Sequence, residues 1–229
     1  MNPEQELERW KKLLDTKEPL HADLKHTVRI VAKMEFISNP FFCGINAHNA
    51  MTNEAFRHQK ALADKYLKEK KWLKYILAHE KPYLIQAIID HGNRLSDKEY
   101  WELVAYAWTA VENLWQYKKE LEVLLTADRK QRQKMMDIKE QNALIRLPYI
   151  LTVYRGFQER LNKLGWSWTL DRAKAEWFAK RYHADKRKPR LAIGECDRQQ
   201  VVALFLGRNE SEIVINPKLV KNLKTVPVK

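Results

Sequence analysis

The sequence predicts an α+β protein in which a helical N-terminal region, residues 1–146, precedes a small mixed α/β domain, residues 147–229. Two observations predict this division. Before residue 146, apolar residues recur at spacings of three and four, whereas after Pro148 short β-branched and aromatic runs favour strands. A hydrophobic content of 45% with eight tryptophans indicates a folded chain with a buried core.

The helical region is best marked in its second half. Ser96 and Glu99 form a capping-box pattern that predicts the start of a helix, and apolar residues then repeat at helical spacing as far as Trp115. Cys43 and His48 are residues of metal-binding type, but no second pair stands at a zinc-site spacing, so no metal is predicted. The region carries no motif that indicates its function.

The C-terminal region is predicted to contain strands around one helix. The helix is expected from about Asp171 to Tyr182, with Thr169 as its N-cap. The expected strands cover residues 149–154, 191–193, 201–205 and 212–215.

Positive charge is concentrated in the C-terminal region. The net charge is +13, and residues 147–229 hold 17 Lys and Arg against 8 Asp and Glu. The run at 180–190 is strongly basic and includes Tyr182; the basic residues Lys218, Lys221, Lys224 and Lys229 follow it. Such a run is either a solvated loop after a helix or a strip that contacts nucleic-acid phosphates, with aromatic residues that stack on bases.

Composition also bears on location. The two cysteines, Cys43 and Cys196, lie in separate regions, which fits a reducing cytoplasm and gives no disulfide framework. The N-terminus is acidic and polar, unlike a secretory signal, and no apolar run is long enough to span a membrane. We therefore expect a cytoplasmic protein with no membrane partner.

Three short motifs stand in order in the C-terminal region. They are Tyr-Arg-Gly at 154–156, Ser-Trp-Thr at 167–169 and Glu-Ser-Glu at 210–212. Each motif alone is common: an arginine at a strand end is usually a surface residue, and a serine before a helix is usually a cap. Their order, spacing and local structure together make them a candidate site.

Taken together, the motifs resemble the arginine–serine–glutamate class of ADP-ribosyltransferases, which includes cholera-toxin-like enzymes. In that family an arginine ends the first strand, a serine motif ends the second, and a Gln/Glu-x-Glu motif opens a later strand. The match covers about residues 147–220. The resemblance implies a split-sheet fold that binds NAD as a substrate and transfers ADP-ribose to a macromolecule. It also implies a bacterial or phage toxin or effector, for which a neutralising antitoxin is expected.

The chemistry of this transfer assigns roles to the charged residues. Breaking the nicotinamide–ribose bond develops positive charge on the sugar, which a carboxylate held beside it stabilises. Glu212 is the expected carboxylate. Glu210, two residues earlier on the same strand, is expected on the same side, where it orients or deprotonates the acceptor. Arg155 offers a planar fork for the diphosphate of NAD.

The other motif residues are expected to bind the nucleotide. Gly156 allows close approach to the backbone, and the resemblance implies that it holds the nicotinamide amide. Ser167 is expected to hydrogen-bond Glu212 or the ribose, with Thr169 in support and Tyr154 beside them. Aromatic residues that are candidates to cover the nicotinamide are Trp168, Trp177, Phe178 and Tyr182.

The sequence does not decide which class of molecule accepts the ADP-ribose. The basic run favours nucleic acid, in particular single-stranded RNA, whereas Glu210 at the first acidic position resembles enzymes that modify arginine in proteins. The segment at 206–209, where the family places acceptor recognition, is short. Two further hypotheses stand beside transfer: a NAD glycohydrolase with water as acceptor, and a non-catalytic basic nucleic-acid-binding protein.

Overall fold

A computed structural model describes residues 3–16, 18–22, 24, 46–112, 114–181, 188–207 and 210–228. Within these residues the chain combines α-helices with one antiparallel sheet, which confirms the predicted α+β class. The helices are α1 (Pro3–Asp15), α2 (Asn46–Lys68), α3 (Trp72–Leu77), α4 (Leu84–His91), α5 (Asp97–Ala110), α6 (Lys118–Leu125), α7 (Ile138–Arg146) and α8 (Arg172–Lys180). The strands are β1 (Ile150–Gln158), β2 (Ser167–Thr169), β3 (Pro189–Asp197), β4 (Ala203–Phe205), β5 (Glu212–Val214) and β6 (Lys221–Pro227).

Several predicted features lie outside the described residues. They are Cys43, residues 182–187 of the basic run with Tyr182 among them, the pair Arg208 and Asn209, and Lys229. Over the described part of the chain, no helix combines the length and the apolar character needed to cross a bilayer.

The chain divides into two compact units, and the division does not follow the expected boundary at residue 146. One unit comprises residues 1–95 with 109–112, and the other comprises residues 96–108 with 113–229. The change from helix to strand does fall between Arg146 and Ile150. However, α5 as far as Trp108, together with α6 and α7, belongs to the unit that contains the sheet. Residue 146 therefore separates types of secondary structure and not compact units.

The first unit is helical in its described part. Successive helices pack against one another, α1 on α2, α2 on α3 and α3 on α4. Its core includes Ile76 and Ile88, which are fully buried. Asn53, also buried, accepts a hydrogen bond from the main-chain N–H of His21 and donates one to the carbonyl of Pro19. This polar contact fixes the segment between α1 and α2 to α2.

In the second unit, capping boxes start two of the helices. The predicted box at Ser96 is confirmed: its N–H donates to the Glu99 carboxylate at 3.0 Å, and its hydroxyl accepts from the Glu99 N–H at 3.3 Å. A second box joins Asp137 and Glu140 at the start of α7. The Glu140 carboxylate also accepts from the main-chain N–H of Leu206, which ties α7 to the end of β4. Helices α5 and α7 are thereby held in place from their first turns.

The six strands form one sheet in the order β4-β5-β2-β1-β3-β6. The resemblance implies a split sheet, whereas the described strands are continuous. Their two halves, β4-β5-β2 and β1-β3-β6, are joined by a single pair of opposed residues, Tyr154 and Thr169. The junction is narrow because β2 pairs with β5 along all three of its residues but with β1 only at Thr169. One short strand therefore connects the half that carries Glu212 to the half that carries Arg155.

Helix α8 differs from its predicted form at its start. Asp171, and not Thr169, is the N-cap, and its carboxylate accepts from the N–H of Lys174. The Thr169 hydroxyl lies before the helix, where it donates to the carbonyl of Glu210 at 2.5 Å and accepts from the N–H of Asp171 at 3.0 Å. Ala175 and Ala179 form the buried face of α8 that packs on β1.

The strand bounds also differ from prediction. Strand β1 continues to Gln158, so Arg155 lies within it and not at its end as expected, and β3 is also longer than expected. Val201 and Val202 precede β4 instead of belonging to it, and β6 was not expected. The largely exposed side chains of β6 lack the apolar alternation that predicts a strand. Pairing with β3 forms β6 in spite of that.

Candidate active site

The geometry of the candidate site begins with two neighbouring strands, β2 and β5. Ser167 lies opposite Val214 and Thr169 lies opposite Glu212, so Ser167 and Glu212 are diagonal neighbours on one face of the sheet. The Ser167 hydroxyl donates to Glu212 Oε1 at 2.5 Å. The serine and glutamate motifs, 45 residues apart, are therefore in direct contact through their side chains.

The second carboxylate oxygen of Glu212 is held by a residue outside the three motifs. Trp108 Nε1, in the last turn of α5, donates to Glu212 Oε2 at 3.2 Å. The Trp108 side chain is buried. No local pattern in the sequence distinguishes Trp108 from the other apolar residues of α5, so sequence analysis missed it.

Burial controls the electrostatics of Glu212. Loss of hydration raises the pKa of Glu212 above its ordinary value of 4.5, and the negative charge of Glu210 acts in the same direction. The hydrogen bonds from Ser167 and Trp108 and the positive charge of Arg155 oppose this rise in pKa. Glu212 is thus a desolvated carboxylate whose ionised form is favoured by two neutral donors and a nearby cation.

Arg155 lies in the second half of β1 and hydrogen-bonds the main chain that follows it. Its Nε donates to the carbonyl of Asn162 at 3.2 Å, and its Nη1 donates to the carbonyl of Ser167 at 2.5 Å. Burial lowers the pKa of Arg155 to about 10, so the guanidinium is charged at neutral pH. Ser167 therefore contacts both charged residues, Arg155 through its carbonyl and Glu212 through its hydroxyl.

Gly165 makes room for the Arg155 guanidinium. A Cβ atom at Gly165 would lie 2.7 Å from Arg155 Nη2 and 2.9 Å from Cζ, closer than such atoms approach each other. A side chain there would displace the guanidinium from the Ser167 carbonyl. Gly165 lies two residues before the serine motif, and sequence analysis did not assign it a role.

Glu210 lies beside the site, but not in the expected way. Strand β5 begins at Glu212, and Ser211 has a φ of 43°, so the alternation of an extended strand does not reach Glu210. The segment is fixed by two hydrogen bonds from the end of β2: Thr169 Oγ1 donates to the Glu210 carbonyl, and the Leu170 N–H donates to the Ser211 carbonyl. The half-buried Glu210 carboxylate is close enough for its charge to raise the pKa of Glu212.

Gly156 has a packing role that the sequence analysis did not predict. A Cβ atom there would lie 1.9 Å from the carbonyl oxygen of Ala175 and 2.6 Å from the N–H nitrogen of Ala179. Gly156 thus allows α8 to lie directly on β1. Close helix packing therefore requires a glycine at this position, and the expected contact of its main chain with the nicotinamide amide stays a prediction.

The aromatic candidates differ in their surroundings. Trp168 is 2% exposed and donates its Nε1–H to the carbonyl of Gly165, so its ring belongs to the core and is not available to cover a nicotinamide. Tyr154 and Phe178 are half-buried, and Trp177 is exposed. Tyr154 lies opposite Thr169, which places it in one row across the sheet with Glu212.

Neither metal ligands nor similarity to a known protein assigns a further role to the described residues. Within the described residues, no group of three or more His, Cys, Asp or Glu side chains is placed to hold a metal ion. Comparison with profiles of known families, with curated proteins and with solved structures gives no match for this chain.

Proposed function

We propose that this chain is a mono-ADP-ribosyltransferase of the arginine–serine–glutamate class, with NAD as its substrate. The observation that carries the proposal is the contact set of Ser167, whose hydroxyl donates to Glu212 and whose carbonyl accepts from Arg155. Residues chosen from sequence as parts of one site, and distant along the chain, are neighbours in the fold. Three unrelated surface motifs that matched the family by chance would not be expected to contact one another.

The proposed reaction uses the Glu212 carboxylate to stabilise positive charge. The bond between the ribose C1′ and the nicotinamide nitrogen breaks, and nicotinamide leaves with the electron pair. Ionised Glu212 hydrogen-bonds a ribose hydroxyl and stabilises the cationic sugar. A lone pair of the acceptor then forms the new bond to C1′, and Glu210 takes the proton that the acceptor releases.

Arg155 is suited to the diphosphate of NAD. Two of its nitrogens are engaged with main-chain carbonyls, while Nη2 has no hydrogen bond within the described residues. A guanidinium that is already fixed in orientation binds a phosphate oxygen with little further loss of side-chain entropy. Its pKa of about 10 keeps it cationic throughout the neutral range.

For the acceptor we propose single-stranded nucleic acid. Trp177 is 52% exposed on α8, with Lys174 Nζ 5.5 Å and Arg181 Cζ 5.2 Å from its ring centre. An exposed ring with two cations over it supports stacking on a base if the cations leave the ring to contact phosphate as the base binds. The net charge of +13 favours the same class of partner. A toxin or effector that acts in the cytoplasm and is neutralised by an antitoxin fits this proposal.

The decisive experiment is incubation of the purified protein with NAD labelled in the adenylate and with a cell extract. Labelled product is then digested separately with nuclease and with protease. We expect label that nuclease releases and protease does not, and no label with the Glu212→Gln variant. Protease-sensitive label would identify a protein acceptor, and nicotinamide release without labelled product would identify a glycohydrolase. If no nicotinamide is released, the proposal of catalysis is wrong, and the remaining hypothesis is a non-catalytic nucleic-acid-binding protein.

A further inference from the structure

We infer that Trp108 is a positioning residue for Glu212: its indole N–H fixes the orientation of the carboxylate towards the ribose of NAD. This inference rests on the proposed function. It concerns a residue of the helical part of the chain, outside the three motifs that define the proposed site.

The first step is geometric. A carboxylate attached through a flexible side chain can rotate about its last bond unless both oxygens are held. Ser167 holds Oε1 at 2.5 Å and Trp108 holds Oε2 at 3.2 Å, from opposite ends of the carboxylate. Each carboxylate oxygen accepts more than one hydrogen bond. Trp108 can therefore stay bound while a ribose hydroxyl donates to the same carboxylate.

The second step is that Trp108 is itself fixed. It is 5% exposed and belongs to α5, whose start is held by the Ser96–Glu99 capping box. Residues 96–108 are part of the same compact unit as the sheet. A donor on a packed helix orients its acceptor more strictly than a donor on a loop. Helix α5 thus supplies a rigid support for Glu212.

The third step is electrostatic. Two charged groups shift the pKa of Glu212 in opposite directions. Arg155 on β1 lowers it, and Glu210 in the segment before β5 raises it. The indole N–H is a neutral donor that favours the ionised carboxylate, which is the form that stabilises a cationic sugar. Removing it leaves Glu212 with the Ser167 hydrogen bond and the same desolvation, so its pKa rises further.

Helix α5 offers a matched control. Trp101 is also buried in α5, and its Nε1 donates to the carbonyl of Lys130 at 2.8 Å, a main-chain group with no part in the site. Trp101→Phe and Trp108→Phe each remove one buried indole hydrogen bond from the same helix. Only Trp108→Phe removes a hydrogen bond from Glu212.

The test combines kinetics with NMR on the full chain. We expect Trp108→Phe to lower kcat/KM for nicotinamide release roughly tenfold at neutral pH and to move the acid limb of the pH profile to higher pH. Trp101→Phe is expected to leave that limb in place even if it lowers the melting temperature. If the two variants give the same pH profile, the positioning role is wrong.

In ¹⁵N-labelled protein, the Trp108 indole signal, assigned by its loss in Trp108→Phe, should shift with pH as Glu212 titrates. The shift should vanish in Glu212→Gln. An indole signal that does not respond to pH would overturn the contact, whether or not the protein cleaves NAD. A titrating indole in a protein that releases no nicotinamide would instead reject the proposed function and, with it, the catalytic purpose of the contact.

Discussion

Ser167 and Glu212 share a hydrogen bond of 2.5 Å across the β2–β5 pair, although 45 residues separate them in sequence. The register of the two short strands fixes this contact, because Ser167 faces Val214 and Glu212 faces Thr169. A carboxylate held in this way needs little rearrangement when positive charge develops beside it. The contact is the basis of the predictions that concern Glu212.

Glu212→Gln should abolish NAD cleavage without unfolding the protein. The charge that stabilises the sugar cation is lost, so kcat for nicotinamide release should fall by roughly a hundredfold to a thousandfold or more. The amide can still accept from Trp108, and the Ser167 hydroxyl can accept from the amide N–H₂. Residual activity close to that of the parent would contradict the assignment of Glu212.

The same variant should melt at or above the temperature of the parent at neutral pH. Because the folded pKa of Glu212 is raised, ionisation of Glu212 costs stability as pH rises through that pKa. The variant is therefore more stable than the parent by the full amount at pH values above the pKa of Glu212 in the folded protein. Below the pKa of the unfolded chain, near 4.5, this difference in the free energy of unfolding is absent. Thermal melts of both proteins across this pH range measure the difference.

Glu210→Gln should separate transfer from cleavage. If Glu210 takes the proton of the acceptor, its loss should reduce transfer by roughly a hundredfold while sparing nicotinamide release to water. Parallel assays of labelled acceptor and free nicotinamide measure the two activities. Equal losses in both assays for Glu210→Gln and Glu212→Gln would show that the two carboxylates do not have divided roles.

The pH dependence of cleavage should reflect the surroundings of Glu212. Activity needs the ionised carboxylate, and burial raises its pKa, so the acid limb of kcat/KM should have its midpoint above 4.5. The pKa of Arg155, about 10, places loss of its charge far above neutrality. A midpoint at or below 4.5 would mean that the carboxylate that titrates is well hydrated.

Three glycine-to-alanine variants should give three different results. Gly165→Ala forces the Arg155 guanidinium to move and should raise the KM for NAD roughly tenfold. Gly156→Ala meets the main chain of α8 and should lower stability by about 1–3 kcal/mol or more. Gly207→Ala is the control, because no atom of the residues that the structure describes lies within 4 Å of its added Cβ. Melting curves and NAD kinetics distinguish the three variants; identical behaviour would contradict the packing described.

Trp177→Ala tests the acceptor surface. Loss of one stacked base costs about 1–3 kcal/mol, so the KM for a single-stranded RNA acceptor should rise roughly fivefold to 150-fold. NAD cleavage in the absence of acceptor should not change. Trp115→Ala is a matched control, since Trp115 is 53% exposed and Trp177 is 52% exposed. Equal effects of both variants on transfer would argue against a specific surface at Trp177.

The sequence was most informative where local patterns determine structure. The capping pattern of Ser96 and Glu99 predicted the start of α5, and the β-branched run before Arg155 predicted β1. Glu212 was one of the two partners expected for Ser167, the other being the ribose of NAD. The roles proposed for these residues in catalysis stay predictions.

Long-range packing accounts for what the sequence did not reveal. A glycine is needed at position 156 because the main chain of α8 lies over it, and that contact cannot be read from the local sequence. Likewise, Trp168 is buried because of the face of β2 that meets the core. Trp108 reaches Glu212 across 104 residues, and no spacing rule connects them. The two compact units are not visible in the sequence for the same reason, because α5 as far as Trp108, α6 and α7 have the same apolar spacing as the helices before them but belong to the unit that contains the sheet.

The order of these residues along the chain matters to a cell that makes the protein. Trp108, Arg155 and Ser167 leave the ribosome before Glu212, and the contacts to Glu212 close loops of 104 and 45 residues. Contacts of such separation form late, after the intervening chain has been synthesised. On the proposed function, a chain still in translation holds three parts of the site without the carboxylate, so it cannot consume the NAD of its host before β5 has emerged.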